Sequence, residues 1–274
     1  MRRVVLLCFT LVAAVAVGLV GPVALAFPQL GVPTSAAPQR VATERYASHA
    51  FTFTRGRYSG RYGGGGFRGR GRWGGNTWAI DYPEADRHFV IGLKRMTNVD
   101  VDDWENPVTL DDPDLNLFPV LYILEVGDMS MTEAEVEGLR RYLRAGGFLI
   151  IDDFWGSWEW ANFESEIRRV FPDLPIVELP LDHPIFHIYY DIDEIIQVPN
   201  VGQGRRGGPT WENDGYVPHC LAIFDEQGRM LAVINWNTDL GDAWEWADDP
   251  YYPLHFSTYA WEMGINFVLY GMSH

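Results

Sequence analysis

Residues 118–155 read FPVLYILEVGDMSMTEAEVEGLRRYLRAGGFLIIDDFW, and they constrain the fold more than any other stretch. An apolar run (118–124) leads into a helix with a cap at its start and Gly146-Gly147 at its end. A second apolar run (148–151) follows and finishes in Asp152-Asp153. This is one β-α-β unit, and such units build parallel sheets with helices on their faces. Ligands of open α/β sheets bind just past the carboxyl ends of the strands, where Asp152 and Asp153 fall. The expected class is therefore α/β, a three-layer sandwich around a mostly parallel central sheet. In the helix, Thr132 and Glu135 suit a capping box, with Ser130 and Glu133 as a competing pair. Val136, Leu139 and Leu143 form the buried stripe. Arg140, Arg141 and Arg144 lie where positive charge complements the helix dipole.

The amino terminus reads as a targeting segment. Met1-Arg2-Arg3 is basic, residues 4–20 are apolar, and Ala24-Leu25-Ala26 is a small-x-small cleavage site. That order is a secretory signal peptide over residues 1–26, or, uncleaved, an inner-membrane anchor. Export to the periplasm or the outside follows, and membrane contact is expected only through residues 4–20. Beyond Cys8 in this segment stands a single cysteine, Cys220, so no internal disulfide staples the exported chain. Cys220 sits in an apolar run, which suits a buried, protonated thiol rather than a nucleophile.

Charge is divided unevenly. Residues 1–75 carry ten of the 21 basic residues and one of the 37 acidic ones, so the remainder is near −25. A field of that sign repels nucleic acid and anionic membrane and favours cations. Residues 55–75, RGRYSGRYGGGGFRGRGRWGG, hold too much glycine to bury a core, and residues 27–76 are expected to be a flexible Arg/Gly-rich segment. The α/β domain is then expected over residues 77–274.

Trp78 to Asp81 is a short strand candidate. Phe89, Leu93 and Met96 share a helical face after Pro83. Residues 163–171 and 256–270 also carry helical spacing. Residues 176–179 read as a strand, and residues 218–224 and 230–236 as a strand pair around a turn at Gly228. Residues 100–114 are acidic and loop-like. Asp100, Asp102, Asp111 and Asp112 among them are a candidate calcium set, although their spacing departs from the helix-loop-helix calcium loop.

Four blocks in order (FPVLYI…LRRYLRAGGFLIIDD, RRVFPDLPIVELPLDHPIFH, LAVINWNTDLGDAWE and MGINFVLYGMSH) resemble the bacterial family called domain of unknown function 4159. The resemblance covers residues 77–274. It implies a fold similar to the flavodoxin-like, class I glutamine amidotransferase-like proteins, and no particular reaction. Amidotransferase chemistry needs a nucleophile on a tight turn between small neighbours, which Cys220 lacks.

The polar groups in these blocks define the candidate site. Asp152 and Asp153, with Trp155 beside them, could act as acid and base if their environments separate their pKa values; neighbours on an extended strand, however, point to opposite sides. His183 is a candidate ligand or proton carrier, or a turn histidine. Asn235, Asn237, Asp239 and Trp244 follow a strand and join amides, a carboxylate and an indole in a manner suited to sugars. The chain holds eleven tryptophans, many beside expected loops, as on binding surfaces. The expected role is a non-catalytic binding or assembly component of the bacterial envelope, with an envelope protein or carbohydrate as partner. The alternative is a hydrolase or carbohydrate-modifying enzyme using Asp152, Asp153 and His183. No resident cofactor is expected.

Overall fold

The computed structural model describes residues 51–60 and 77–274; the targeting segment and most of the Arg/Gly-rich segment lie outside the described residues. Seven strands form one sheet: β1 (Thr54–Arg57), β2 (Asn106–Thr109), β3 (Val120–Leu124), β4 (Phe148–Asp152), β5 (Ile176–Glu178), β6 (His219–Phe224) and β7 (Met230–Trp236). Their order is β2-β1-β3-β4-β7-β6-β5. The pairings from β2 through to β7 are parallel, and β7-β6 and β6-β5 are antiparallel, so the sheet is mixed. The helices are α1 (Glu84–Met96), α2 (Glu133–Arg144), α3 (Gly156–Val170), α4 (Val201–Gly204), α5 (Leu240–Glu245) and α6 (Leu254–Ser273). No helix among the described residues is long and apolar enough to cross a membrane.

The central strands are apolar on both faces because both faces are covered. On β3, Val120, Tyr122 and Leu124 join Phe89, Leu93, Met263 and Phe267 from α1 and α6. Leu121 and Ile123 point the other way, to Val136, Leu139, Phe163 and Ile167 from α2 and α3. The result is an α/β sandwich. The capping box at the start of α2 is the Thr132–Glu135 pair: Thr132 Oγ1 accepts from Glu135 N at 3.2 Å, and Glu135 Oε2 accepts from Thr132 N at 2.7 Å. At the other end Gly146 takes φ +113°, a left-handed exit that glycine permits.

Three expectations need correction. Residues 51–60, assigned from composition to the Arg/Gly-rich segment, supply β1, which sits inside the sheet between β2 and β3. The local pattern Phe51-Thr52-Phe53-Thr54 alternates as a strand does, and Phe51 and Phe53 enter the core. Arg55 is 0 % exposed. Its Nε donates to Asp86 Oδ1 at 2.9 Å and its Nη1 to the carbonyl of Ile80 at 3.1 Å. The arginine thus ties β1 to α1 instead of decorating a linker. Second, residues 78–81 are not a strand. Thr77–Ala79 is a 3-10 turn that brings Asp81 to the carboxyl ends of the interior strands. Third, α3 starts at Gly156, well before Phe163.

Candidate functional site

The carboxyl ends of β1, β3, β4 and β7 meet on one rim, and each connection there passes through a left-handed residue that is not glycine. Asp81 follows the 3-10 turn Thr77–Ala79 (φ 59°), Glu125 follows β3 (φ 54°), Asp153 follows β4 (φ 49°) and Asn237 follows β7 (φ 63°). Such conformations are uncommon and cost on the order of 1–3 kcal/mol each, so they persist where surroundings over-determine them. The ties are visible. Glu125 N donates to Asp153 O at 2.9 Å and Asn237 N to Phe154 O at 3.0 Å. Tyr58 donates its hydroxyl to the carbonyls of Leu124 and Glu125, at 2.7 and 2.8 Å.

The turn at Asp153 decides how the adjacent acids share the rim. Asp152 keeps the strand direction. Its Oδ2 accepts from Tyr122 Oη at 2.8 Å and from the backbone N–H groups of Leu240 and Gly241 at 3.0 and 3.1 Å. It therefore serves the first turn of α5, where a negative charge suits the helix dipole, and not the helix that follows β4. Asp153 instead swings toward Asp81 and Asp239, and one carboxylate oxygen from each of the three lies within 4.8 Å of the others. Asp81, Asp242 and Glu245 form a second such group. Asp239 caps α5, accepting from Asp242 N at 2.7 Å. Trp155 donates its indole N–H to Asp153 Oδ1 at 2.9 Å.

Burial governs the protonation of these acids. It pushes Asp152 up to about 7 against the opposing pull of its Tyr122 hydrogen bond. Asp81, Asp153 and Asp239 are held well above the carboxylate range by burial first and by a neighbouring acid second, Asp242 for Asp81, Asp152 for Asp153 and Asp153 for Asp239. Glu125 is raised by burial and Asp153, and Glu245 reaches about 7 through burial and Asp242.

Of the residues singled out from the sequence, the fold gathers Asp152, Asp153, Trp155, Asn237 and Asp239 here. Asn237 is a brace: its Oδ1 accepts from Gly156 N at 2.8 Å and its Nδ2 donates to Val217 O at 2.7 Å. Asn235 lies buried within β7, below the rim. Trp244 is no sugar platform. It is 1 % exposed and packs on Phe89, Tyr122 and Phe53 at ring distances of 4.5, 5.4 and 6.4 Å. The cause is that α5 turns its indole inward to fill the space under α1.

His183 is not in the site. Its ring packs near Phe224 and Tyr270, and Phe224 pairs with Met230, the first residue of β7. That is the amino end of the parallel strands, opposite the acids. The ring instead caps a 3-10 turn, Nδ1 accepting from Ile185 N at 3.3 Å, and burial pulls its pKa below the usual value. Cys220 is buried and burial drives its thiol pKa up. The calcium set does not converge either: Asp100 and Asp102 precede β2, where their backbones pair with Phe51, while Asp111 and Asp112 follow it, with Asp112 capping a 3-10 turn. Sequence reasoning missed Asp81 and Glu125 as site residues. For Glu125 a signal was present, an acid directly after a buried run, as at Asp152.

The rim also has an aromatic lip. Trp158, Trp211 and Tyr216 are 57, 41 and 63 % exposed. Trp158 stands on the first turn of α3, and the Trp211–Tyr216 pair (5.6 Å) lies on the loop whose Asp214 accepts from Ser157 N at 2.8 Å. Asn213, also left-handed (φ 49°), reaches from this loop to Glu159 at 3.1 Å. No curated protein matches the chain. The model of one family does, over residues 69–272, and the chain therefore belongs to the family described as Domain of unknown function (DUF4159).

Proposed function

We propose that the chain is an exported, non-catalytic binding component of a bacterial cell envelope, periplasmic or extracellular, whose rim engages an envelope carbohydrate. The observation that carries the reading is the exposed Trp158, Trp211 and Tyr216 on the start of α3 and on the loop that bonds to Trp155, the residue that holds Asp153. Sugars are held by stacking on such rings and by hydrogen bonds between their hydroxyls and side-chain carboxyl groups. The domain is read as flavodoxin-like and close to the class I glutamine amidotransferase-like architecture. Supporting this, β2-β1-β3-β4-β7 follows the 2-1-3-4-5 order of flavodoxin-like sheets, and Asp81 and Glu125 stand beside its β1/β3 switch point. Binding is favoured over catalysis because the thiol is buried and His183 lies at the far end of the strands.

A hydrolytic role of the same rim is the second reading, favoured by the cluster of left-handed residues, since backbone strain gathers at active sites. The carboxylates alone would have to carry it. Co-sedimentation of the full chain with isolated cell-wall sacculi tests the first reading. W211A/Y216A is expected to lower the bound fraction at least fivefold. Equal sedimentation of that variant, or none by the wild type, would count against it. Turnover of p-nitrophenyl glycosides or esters that D153N abolishes would establish the second.

A further inference from the structure

We propose that Asp81, Asp153 and Asp239 together hold one hard divalent cation, calcium or magnesium, at the carboxyl ends of β1, β4 and β7. The inference rests on reading this rim as the ligand site and names the ion that would sit in it.

Geometry supplies the first argument. Three carboxylate oxygens from three separate chain segments lie within 4.8 Å of one another. Like charges at that distance in a poorly hydrated site repel strongly. No ion pair among the described residues reaches any of the three. Arg55, the basic residue whose field acts on Asp81, is committed to Asp86.

Unmet valence supplies the second. Asp81 Oδ2 is closed to solvent and accepts no hydrogen bond. Next to it lies Gly241, where a Cβ would stand 2.5 Å from that oxygen. Across Gly241 is Asp152, wholly buried, whose Oδ1 also lacks a partner. A buried carboxylate oxygen without a donor costs free energy, and a cation held by Asp81 removes that cost at its Oδ2. Trp155 holds Asp153 and the Asp242 N–H holds Asp239, each through Oδ1, so the chain already orients these two carboxylates. Ligand-orienting bonds of this kind accompany metal sites.

Donor chemistry selects the ion. All the groups are oxygens, with Asp242 and Glu245 forming the adjoining group around Asp81. Neither histidine nor cysteine takes part, which suits calcium or magnesium rather than zinc or copper. The net charge of −16 raises the local cation concentration.

The test is calorimetric titration of the full chain, stripped with chelator, with calcium and, in a separate arm, magnesium. One ion per chain is expected, and the arm with the larger affinity identifies it. Terbium luminescence excited through tryptophan gives a second readout, because Trp155 adjoins Asp153. D153N/D239N should weaken binding at least tenfold, whereas D248N, an exposed control, should not. Both asparagines keep the hydrogen-bonding shape and remove repulsion, so the variant is expected to fold; D81N is the single change to use should it not. Absence of heat and of terbium signal at millimolar ion would overturn the proposal, as would unchanged affinity in D153N/D239N and D81N. Repeating the sacculus assay in chelator separates the two readings. Retained sedimentation there, with no cation bound in calorimetry, leaves the carbohydrate reading standing and removes only the ion.

Discussion

Arg55 and Asp86 are both buried, and each is the other's charge partner. Removing one member of such a pair leaves an uncompensated charge and costs about 3–5 kcal/mol, whereas replacing both with apolar residues of similar volume is often far less harmful. R55M is therefore expected to lower the urea midpoint sharply, and R55M/D86L to recover part of the loss. Equal stability of R55M and wild type would mean that Asp86 simply takes up a proton. Glu159 illustrates the opposite sign. Burial raises it to about 7, with Glu212 and Asp128 adding repulsion and the Trp155 N–H and Asn213 amide opposing. A carboxyl whose folded value exceeds its unfolded one stabilises fully below the unfolded value, near 4.5. That contribution is lost as pH rises through about 7. E159Q carries no such penalty. Its melting temperature should match wild type near pH 5 and exceed it near pH 8; a constant difference across that range would refute the assignment.

The elements show where local sequence suffices and where it fails. Helix α2 was legible because its signals are local: a capping box, a stripe at helical spacing and a glycine exit all lie within its own residues. The strand pair β6-β7 was legible for the same reason, being joined by a short turn. Strand β1 was not, since Arg55 and Arg57 look like their neighbours in the Arg/Gly segment. What makes Arg55 a core residue is Asp86, far along the chain. The rim was half legible. Acids directly after buried runs, as at Asp152, announce themselves, but Asp81 reaches the rim through a turn that only tertiary packing specifies. His183 and Trp244 looked equally functional in sequence, and their placement depends on which face α5 and α6 press against the sheet. One helix position tests the packing directly. Ala has higher helix propensity than Gly by about 1 kcal/mol, yet a Cβ at Gly138 would stand 2.0 Å from the carbonyl oxygen of Leu110. Backbone cannot yield as a side-chain tip does, so overpacking should win by about 1–3 kcal/mol. G138A is expected to lower the urea midpoint, and a rise would show that α2 can slide away from Leu110.

For the molecule as a whole, the sheet and the rim depend on a strand outside the region that composition marks as folded. The family match begins at residue 69, and the compositional boundary at Thr77 lies later still, whereas β1 spans Thr54–Arg57. That strand is the hydrogen-bonded link between β2 and β3 in the strand order. Without it β2 loses its partner, β3 becomes an edge, and Phe51 and Phe53 leave the core. Burying each phenylalanine is worth about 1.5–3 kcal/mol, and stranding Asp86 adds about 3–5 kcal/mol. These losses together are comparable to the whole stability of an ordinary domain, about 5–15 kcal/mol. Tyr58, which holds the carbonyls of Leu124 and Glu125, would leave as well, so the rim would lose a support along with the fold. A chain of residues 77–274 is therefore expected to lack a cooperative urea transition and dispersed amide resonances. A chain of residues 39–274, which keeps β1, is expected to show both. Cooperative unfolding of the shorter chain would mean that β2 and β3 pair directly and that β1 is an accessory strand.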